Sequence, residues 1–310
     1  MTRASTTAAA KACPRLRGRR RGLLPPAHPL AMVTLTLLAS ITVSSAASAQ
    51  TSGRLTFKNN CPVPIWLELE NNNDTPGRIV LPQTPPSGTA NILPLAAGEG
   101  PVTVPIPQVG WAGRFVPKIG CNPQTGNDCQ GGQALNPCPA GGCQPPATTK
   151  LEFNYANLST SRDSWYDISL VDGYNLAARI TPSGPQSGSC TTTSCSLSLA
   201  ACPPNEIEGL GSLLHEANGT PLWCYSPCDK WTFPTFGGLG KSNKVEPGRA
   251  FCCPNPPVSS GECNAGKVVQ THYVTTVRRD CPSAYSFAFD DEGGNHNCPT
   301  ATVFDVVICP

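Results

Sequence analysis

Leu151-Glu152-Phe153, followed by Trp165-Tyr166-Asp167-Ile168-Ser169-Leu170-Val171-Asp172-Gly173-Tyr174-Asn175, is the most strand-like part of a chain otherwise full of Pro, Gly and Cys. Its aromatic and β-branched residues favour extended backbone, and Gly173 marks a turn where the strand ends. Three carboxylates, Glu152, Asp167 and Asp172, stand among these apolar neighbours, so any chemistry is expected here. Five residues separate Asp167 from Asp172. That spacing is odd, so in a flat strand the two side chains leave opposite faces, up to roughly 17 Å apart. They serve one groove only if the chain bends near Asp172, which Gly173 permits.

Working outward, Arg54–Lys58 alternates, and so does Ile65–Glu70 after Asn59-Asn60-Cys61-Pro62. These read as two antiparallel strands joined at a cysteine. From Thr75 to Gln108 prolines interrupt short apolar runs, a composition that belongs to edge strands and loops. Trp111–Gly120 is a further strand carrying Arg114, and Ala177–Thr181 continues the sheet. Ser194–Pro203 is the best candidate for a short helix. Ala284–Phe289 and Thr302–Ile308 return to strand. Many short strands with almost no helical periodicity predict a mainly β fold, a β-sandwich.

Residues 1–49 read as a leader and signal peptide. They carry seven basic residues and no acid, and the apolar stretch Met32–Ala49 ends in Ala47-Ser48-Ala49, the form of a signal-peptidase site. That stretch is too short for a mature membrane anchor. The whole chain is formally +2, and without the leader it stands at −5, so no basic stripe remains to displace counterions from nucleic acid. Of 17 cysteines, Cys13 lies in the leader. The even remainder behind an export signal predicts a full disulfide set in an oxidising compartment, secreted, extracellular or in the cell wall. Metal binding fits poorly, since C-x-x-C is absent and His215, His272 and His296 are scattered. No cofactor is expected, because no Gly-rich phosphate loop occurs. The predicted organisation is a sandwich domain from residues 50–120, 148–194 and 282–310, a disulfide-stapled loop region at 121–147, and a disulfide-rich second domain at 195–281. Asn73, Asn157 and Asn218 lie in glycosylation acceptor sequences.

Across about residues 53 to 310 the chain resembles the thaumatin-like, osmotin-related family of pathogenesis-related proteins. The motifs are Phe57-Lys58-Asn59-Asn60-Cys61 with Trp66, Gly113-Arg114-Phe115 ahead of Gly120-Cys121, Asp128-Cys129-Gln130-Gly131-Gly132, the central stretch quoted above, Phe251-Cys252-Cys253, Cys281–Phe287 and Cys309-Pro310. The resemblance implies a thaumatin-like β-sandwich with a short-helix second domain. It implies the pairs Cys61–Cys309, Cys121–Cys129, Cys138–Cys143, Cys190–Cys298, Cys195–Cys281, Cys202–Cys224, Cys228–Cys252 and Cys253–Cys263. It also implies an acidic inter-domain cleft of Arg114, Glu152, Asp167, Asp172 and Asp290, with Asp291 the fallback for the last.

Similar proteins bind β-1,3-glucan, so the resemblance implies a secreted, monomeric, glucan-binding defence or wall-associated protein of antifungal type, without nucleic-acid partner or membrane anchor. An alternative is a weak endo-β-1,3-glucanase with Glu152 as general acid and Asp172 as base or nucleophile, because glycosidases pair one protonated and one ionised carboxyl. A third reading is a protein-partner module such as an enzyme inhibitor. Tyr155, Trp165, Tyr174 and Tyr285 lie near the acids and could offer flat faces to sugar rings, and Arg114 also reads as an ion-pair partner that positions Asp167.

Overall fold

The alternating runs become strands because each buries one face. In the computed structural model, which describes residues 53–88, 90–132, 147–156, 163–184, 190–207, 209–234, 237–254, 256–300 and 302–310, these strands form three sheets. The expected leader at residues 1–49, Cys138, Cys143 and Asn157 lie outside the described residues.

The first sheet has five strands in the order β10-β9-β14-β1-β4. They are β1 (Arg54–Asn59), β4 (Val102–Pro105), β9 (Ala178–Ser183), β10 (Thr193–Cys195) and β14 (Val303–Ile308). β1 runs parallel to β14, Arg54 opposite Val303 through Asn59 opposite Ile308, so β14 lies inside the sheet. The second sheet has six strands, order β13-β7-β6-β5-β2-β3. They are β2 (Ile65–Asn71), β3 (Ile92–Leu95), β5 (Trp111–Ile119), β6 (Lys150–Tyr155), β7 (Asp163–Ser169) and β13 (His296–Pro299). Both Pro-containing strands of the 75–108 region, β3 and β4, sit at sheet edges, where a missing N–H costs no ladder bond.

The two sheets face each other across one apolar core. Leu55, Phe57, Ile180, Phe304 and Val306 meet Leu67, Phe115, Leu151, Phe153 and Tyr166, all nearly solvent-free. Aromatic pairs lock the layers, with Phe57 and Phe115 centroids 4.5 Å apart and Tyr166 and Phe304 at 4.6 Å. This is the expected mainly β sandwich.

A three-stranded sheet, β8 (Gly173–Tyr174), β12 (Thr220–Tyr225) and β11 (Leu214–Ala217), leads to the helices α1 (Pro227–Thr232), α2 (Gly248–Cys252), α3 (Ser260–Asn264) and α4 (His272–Asp280). Asn218 sits exposed at the tip between β11 and β12, and Asn73 is exposed in the turn after β2. All seven expected disulfides whose cysteines lie among the described residues are present with the expected partners.

Three local expectations need correction. β1 and β2 do not form a hairpin: each belongs to a different sheet. Asn59 explains the crossing, because its amide donates to the carbonyls of Val63, Leu95 and Ala96 while its Oδ1 accepts the Cys61 N–H. That knot turns the chain out of one layer into the other. Residues 284–289 are not a strand but a loop with one bridge, Tyr285 to Ser169. Asp290 holds the loop by accepting from the Ser286 N–H and hydroxyl. Finally, the helix expected within 194–203 shrinks to a single 3-10 turn, Leu199–Ala201, while the longest helix is α4.

Candidate functional site

The odd-numbered residues 151, 153 and 155 of β6 face the core, so Lys150, Glu152 and Asn154 face outward. The same alternation puts Glu68 and Glu70 of β2, Arg114 and Lys118 of β5, and Trp165 and Asp167 of β7 on that outer face. Register then aligns Glu70, Arg114, Glu152 and Asp167 in a row across four adjacent strands. Gly113 permits the close approach of β5 to β2, since a Cβ there would lie 2.3 Å from the Glu70 carbonyl oxygen.

The row forms the floor of a groove of about 420 Å³ that Asn72, Ala112, Asn154 and Trp165 also line. Arg114 Nε donates to Glu70 Oε2 at 2.6 Å, and Nη1 lies 3.6 Å from Glu152 Oε1. Arg114 therefore bridges two glutamates instead of pairing with Asp167. Directly opposite residues on antiparallel strands have Cβ atoms about 5 Å apart, so Glu152 and Asp167 confront each other. Burial first, and the charge of Glu152 second, push the Asp167 carboxyl well above its usual range. Its Oδ1 is buried without a hydrogen-bond partner among the described residues. A buried acid pushed toward its protonated form beside an Arg-bound carboxylate is the resulting arrangement. Trp165, 43% exposed, stands at the rim.

This shift has a measurable sign. With its folded pKa raised, Asp167 makes the native state bind more protons than the unfolded chain, so stability falls as pH rises from about 3.8 through the folded pKa. Asp167→Asn removes that titration. The melting temperature of Asp167→Asn minus that of wild type is expected to become more positive as pH rises through this window, and thermal melts across pH 3 to 8 check it, where a constant difference would count against the assignment.

Of the five residues carried over, the structure brings Arg114, Glu152 and Asp167 together. Asp172 and Asp290 do not line this groove. The chain does bend after β7: Gly173 adopts φ +137°, and its N–H closes a turn onto the Leu170 carbonyl at 3.1 Å. The bend brings Asp172 onto the outer-face side, where its carboxylate contacts the Lys150 ammonium. Lys150 is pulled down to about 8, mainly by burial and further by Arg114, against the opposing charges of Asp229, Glu152 and Glu70. Asp172 lines a separate small pocket of about 40 Å³ with Ser226, Phe251 and Ser286. Asp290 is buried and accepts from Arg278 Nη2 at 2.5 Å as well as from Ser286. Its neighbour Asp291 accepts from the Tyr285 hydroxyl at 2.8 Å. Burial first, then the hydrogen bond to Asp291 and the charges of Asp291, Asp167 and Glu152, push the Tyr285 hydroxyl well above its usual range.

Tyr155 and Tyr174 are core residues, 3% and 1% exposed, and cannot stack on a ligand. Sequence reading missed Glu70 and Lys150. The alternation of Ile65–Glu70 signalled an outward Glu70, but its meeting with Arg114, 44 residues on, needs the register. Among the described residues no group of three or more potential metal ligands occurs, and no helix is long and apolar enough to cross a membrane.

Relatives are consistent with this frame. A protein of Prunus avium named glucan endo-1,3-beta-glucosidase is 30% identical over 285 residues, covering 90% of this chain and 98% of its own. Thaumatin-like protein 1 of Castanea sativa is 29% identical, covering 90% and 100%. Pathogenesis-related protein 5 of Arabidopsis thaliana is 29% identical over 262 residues, covering 82% and 89%. The model of the thaumatin family matches residues 59–310, and the chain belongs to that family.

Proposed function

We propose that this protein is a secreted, disulfide-stapled carbohydrate binder of the defence or cell-wall type, and that the groove over β2, β5, β6 and β7 takes β-1,3-glucan. The observation that carries the reading is the row Glu70–Arg114–Glu152–Asp167 with an exposed indole two residues from Asp167 on the same strand face. Charged and acid groups suit sugar hydroxyls, and a flat aromatic face suits the apolar face of a hexose ring. Residues two apart on a strand are spaced by about 7 Å, so neighbouring sugar units can meet the acid row and Trp165 at once. The glucanase named among the relatives supports the substrate class. The paired cysteines support export to an oxidising compartment, with an antifungal role following from wall binding.

A glucan pull-down with purified protein tests the reading. Wild type is expected to be retained by insoluble β-1,3-glucan, and Trp165→Ala to lose about tenfold in affinity, close to 1.4 kcal/mol. No retention of wild type would overturn it.

Hydrolysis of the same polymer is the second reading. It is favoured by the buried Asp167, its carboxyl pushed up by burial and by Glu152, facing the Arg-bound Glu152, since glycoside cleavage pairs an acid with a carboxylate. In this geometry Asp167, not Asp172, is the partner available to Glu152. Reducing-end release from a linear glucan that is abolished in Glu152→Gln, with binding retained, would establish it.

A further inference from the structure

The resemblance counts Asp172 among the groove acids, but its charge is already engaged. Lys150 is a lysine with 1% of its side chain exposed, and an ammonium so buried requires a counter-ion. Asp172, 20% exposed, contacts it. Asp229 of α1, 2% exposed, lies within electrostatic reach of the same ammonium. Burial pushes the Asp229 carboxyl up while Lys150 draws it down, and Asp172 is the carboxylate in contact with the ammonium. The contact ties β6 to the turn after β7, and the Ser226 N–H, at the cap of α1, donates to the Asp172 carbonyl at 3.1 Å. A sugar hydroxyl could recruit this carboxylate only by uncovering the buried charge of Lys150, which is costly.

Glu70 occupies the position that Asp172 leaves open. It stands in register beside Arg114 and lines the groove. Its Oε2 takes the Arg114 Nε–H at 2.6 Å, fixing the guanidinium plane, while among the described residues nothing hydrogen-bonds Oε1. We propose that Glu70, not Asp172, is the second carboxylate through which this groove binds carbohydrate, and that Lys150 has made Asp172 a structural ion-pair partner. The proposal rests on the carbohydrate reading above and assigns its ligand set.

Calorimetric titration with a β-1,3-glucan hexasaccharide, together with thermal melts, tests it on four proteins: wild type, Glu70→Gln, Asp172→Asn and the double variant Lys150→Met with Asp172→Leu. Glu70→Gln is expected to weaken binding at least fivefold with the melting temperature within about 2 °C of wild type, because an outward, partly exposed carboxylate carries little of the stability. Asp172→Asn leaves Lys150 unpaired and is expected to melt at least about 6 °C lower, with affinity within twofold below the melting range. The double variant removes both charges, so it recovers most of the lost melting temperature and keeps its affinity within twofold. It decides the matter if Asp172→Asn does not fold.

Glu70→Gln within twofold of wild type, Asp172→Asn melting like wild type, or a double variant that fails to recover stability or loses binding fivefold overturns the proposal while the carbohydrate reading stands. A wild type that binds no hexasaccharide overturns that reading, and the proposal with it.

Discussion

Replacing Cys61 and Cys309 by Ala is expected to cost more stability than the loss of any other described bridge. The bond spans 248 residues, and in the chain-entropy model closing a loop of that length is worth about 5 kcal/mol, against about 2.5 kcal/mol for the eight-residue span of Cys121–Cys129. At roughly 2–4 °C per kcal/mol for a protein of this size, the long-loop variant should melt about 10–20 °C lower and the short-loop variant about half as far. The native contacts around the bond enlarge the difference. Cys61 is 2% exposed, and next to it the Asn60 N–H donates to the Ile308 carbonyl at 3.0 Å, so the bridge clamps the end of β1 to the end of β14. Denaturant melts of both double variants check this. Equal losses would mean that loop length is not what the bond contributes here.

Phe304→Ala is the second large effect. Phe304 is fully buried at the centre of the sandwich, with ring centroids of Phe153 and Tyr155 each at 5.7 Å and Tyr166 at 4.6 Å. Removing a buried phenylalanine costs about 3–5 kcal/mol through lost transfer energy and a residual cavity. Three aromatic partners that cannot collapse into the gap place this site at the upper end. The melting temperature should fall by about 10–20 °C. Val80→Ala, at a residue 80% exposed, serves as the reference and should change stability by less than about 0.5 kcal/mol. A loss at Phe304 no greater than that at Val80 would show that the two layers do not depend on this contact.

What the sequence made legible was periodicity. The alternation in Arg54–Lys58, Ile65–Glu70 and Thr302–Ile308 became β1, β2 and β14, and Pro-rich segments became sheet edges. Pairing was not legible, because alternation states which face is buried but not against which strand. Hence alternation alone suggests a β1–β2 hairpin, whereas Asn59 ties three carbonyls and redirects the chain into the other sheet. Helix α4 escaped notice for a related reason: His272–Asp280 is rich in Val and Thr, poor local helix formers. Its backbone is stabilised instead by tertiary contacts, with the buried Glu206 carboxylate accepting the His272 and Tyr273 N–H groups at 3.0 and 2.8 Å. Arg114, Glu152 and Asp167 could be named from motifs. That Asp290 would turn to Arg278 and Asp172 to Lys150 depends on contacts between segments distant in sequence, which no local pattern encodes.

The parallel pairing of β1 with β14 bears on how the protein is made. A nascent chain exposes Leu55 and Phe57 early, yet the strand that shields their sheet arrives only once residue 308 has been synthesised. Until then β10 and β9 are cut off from β1 and β4, leaving two ribbons too narrow to persist in water. Contacts so remote along the chain form slowly and leave apolar edges open to aggregation. Translation stopped short of Val303 should therefore yield an insoluble product.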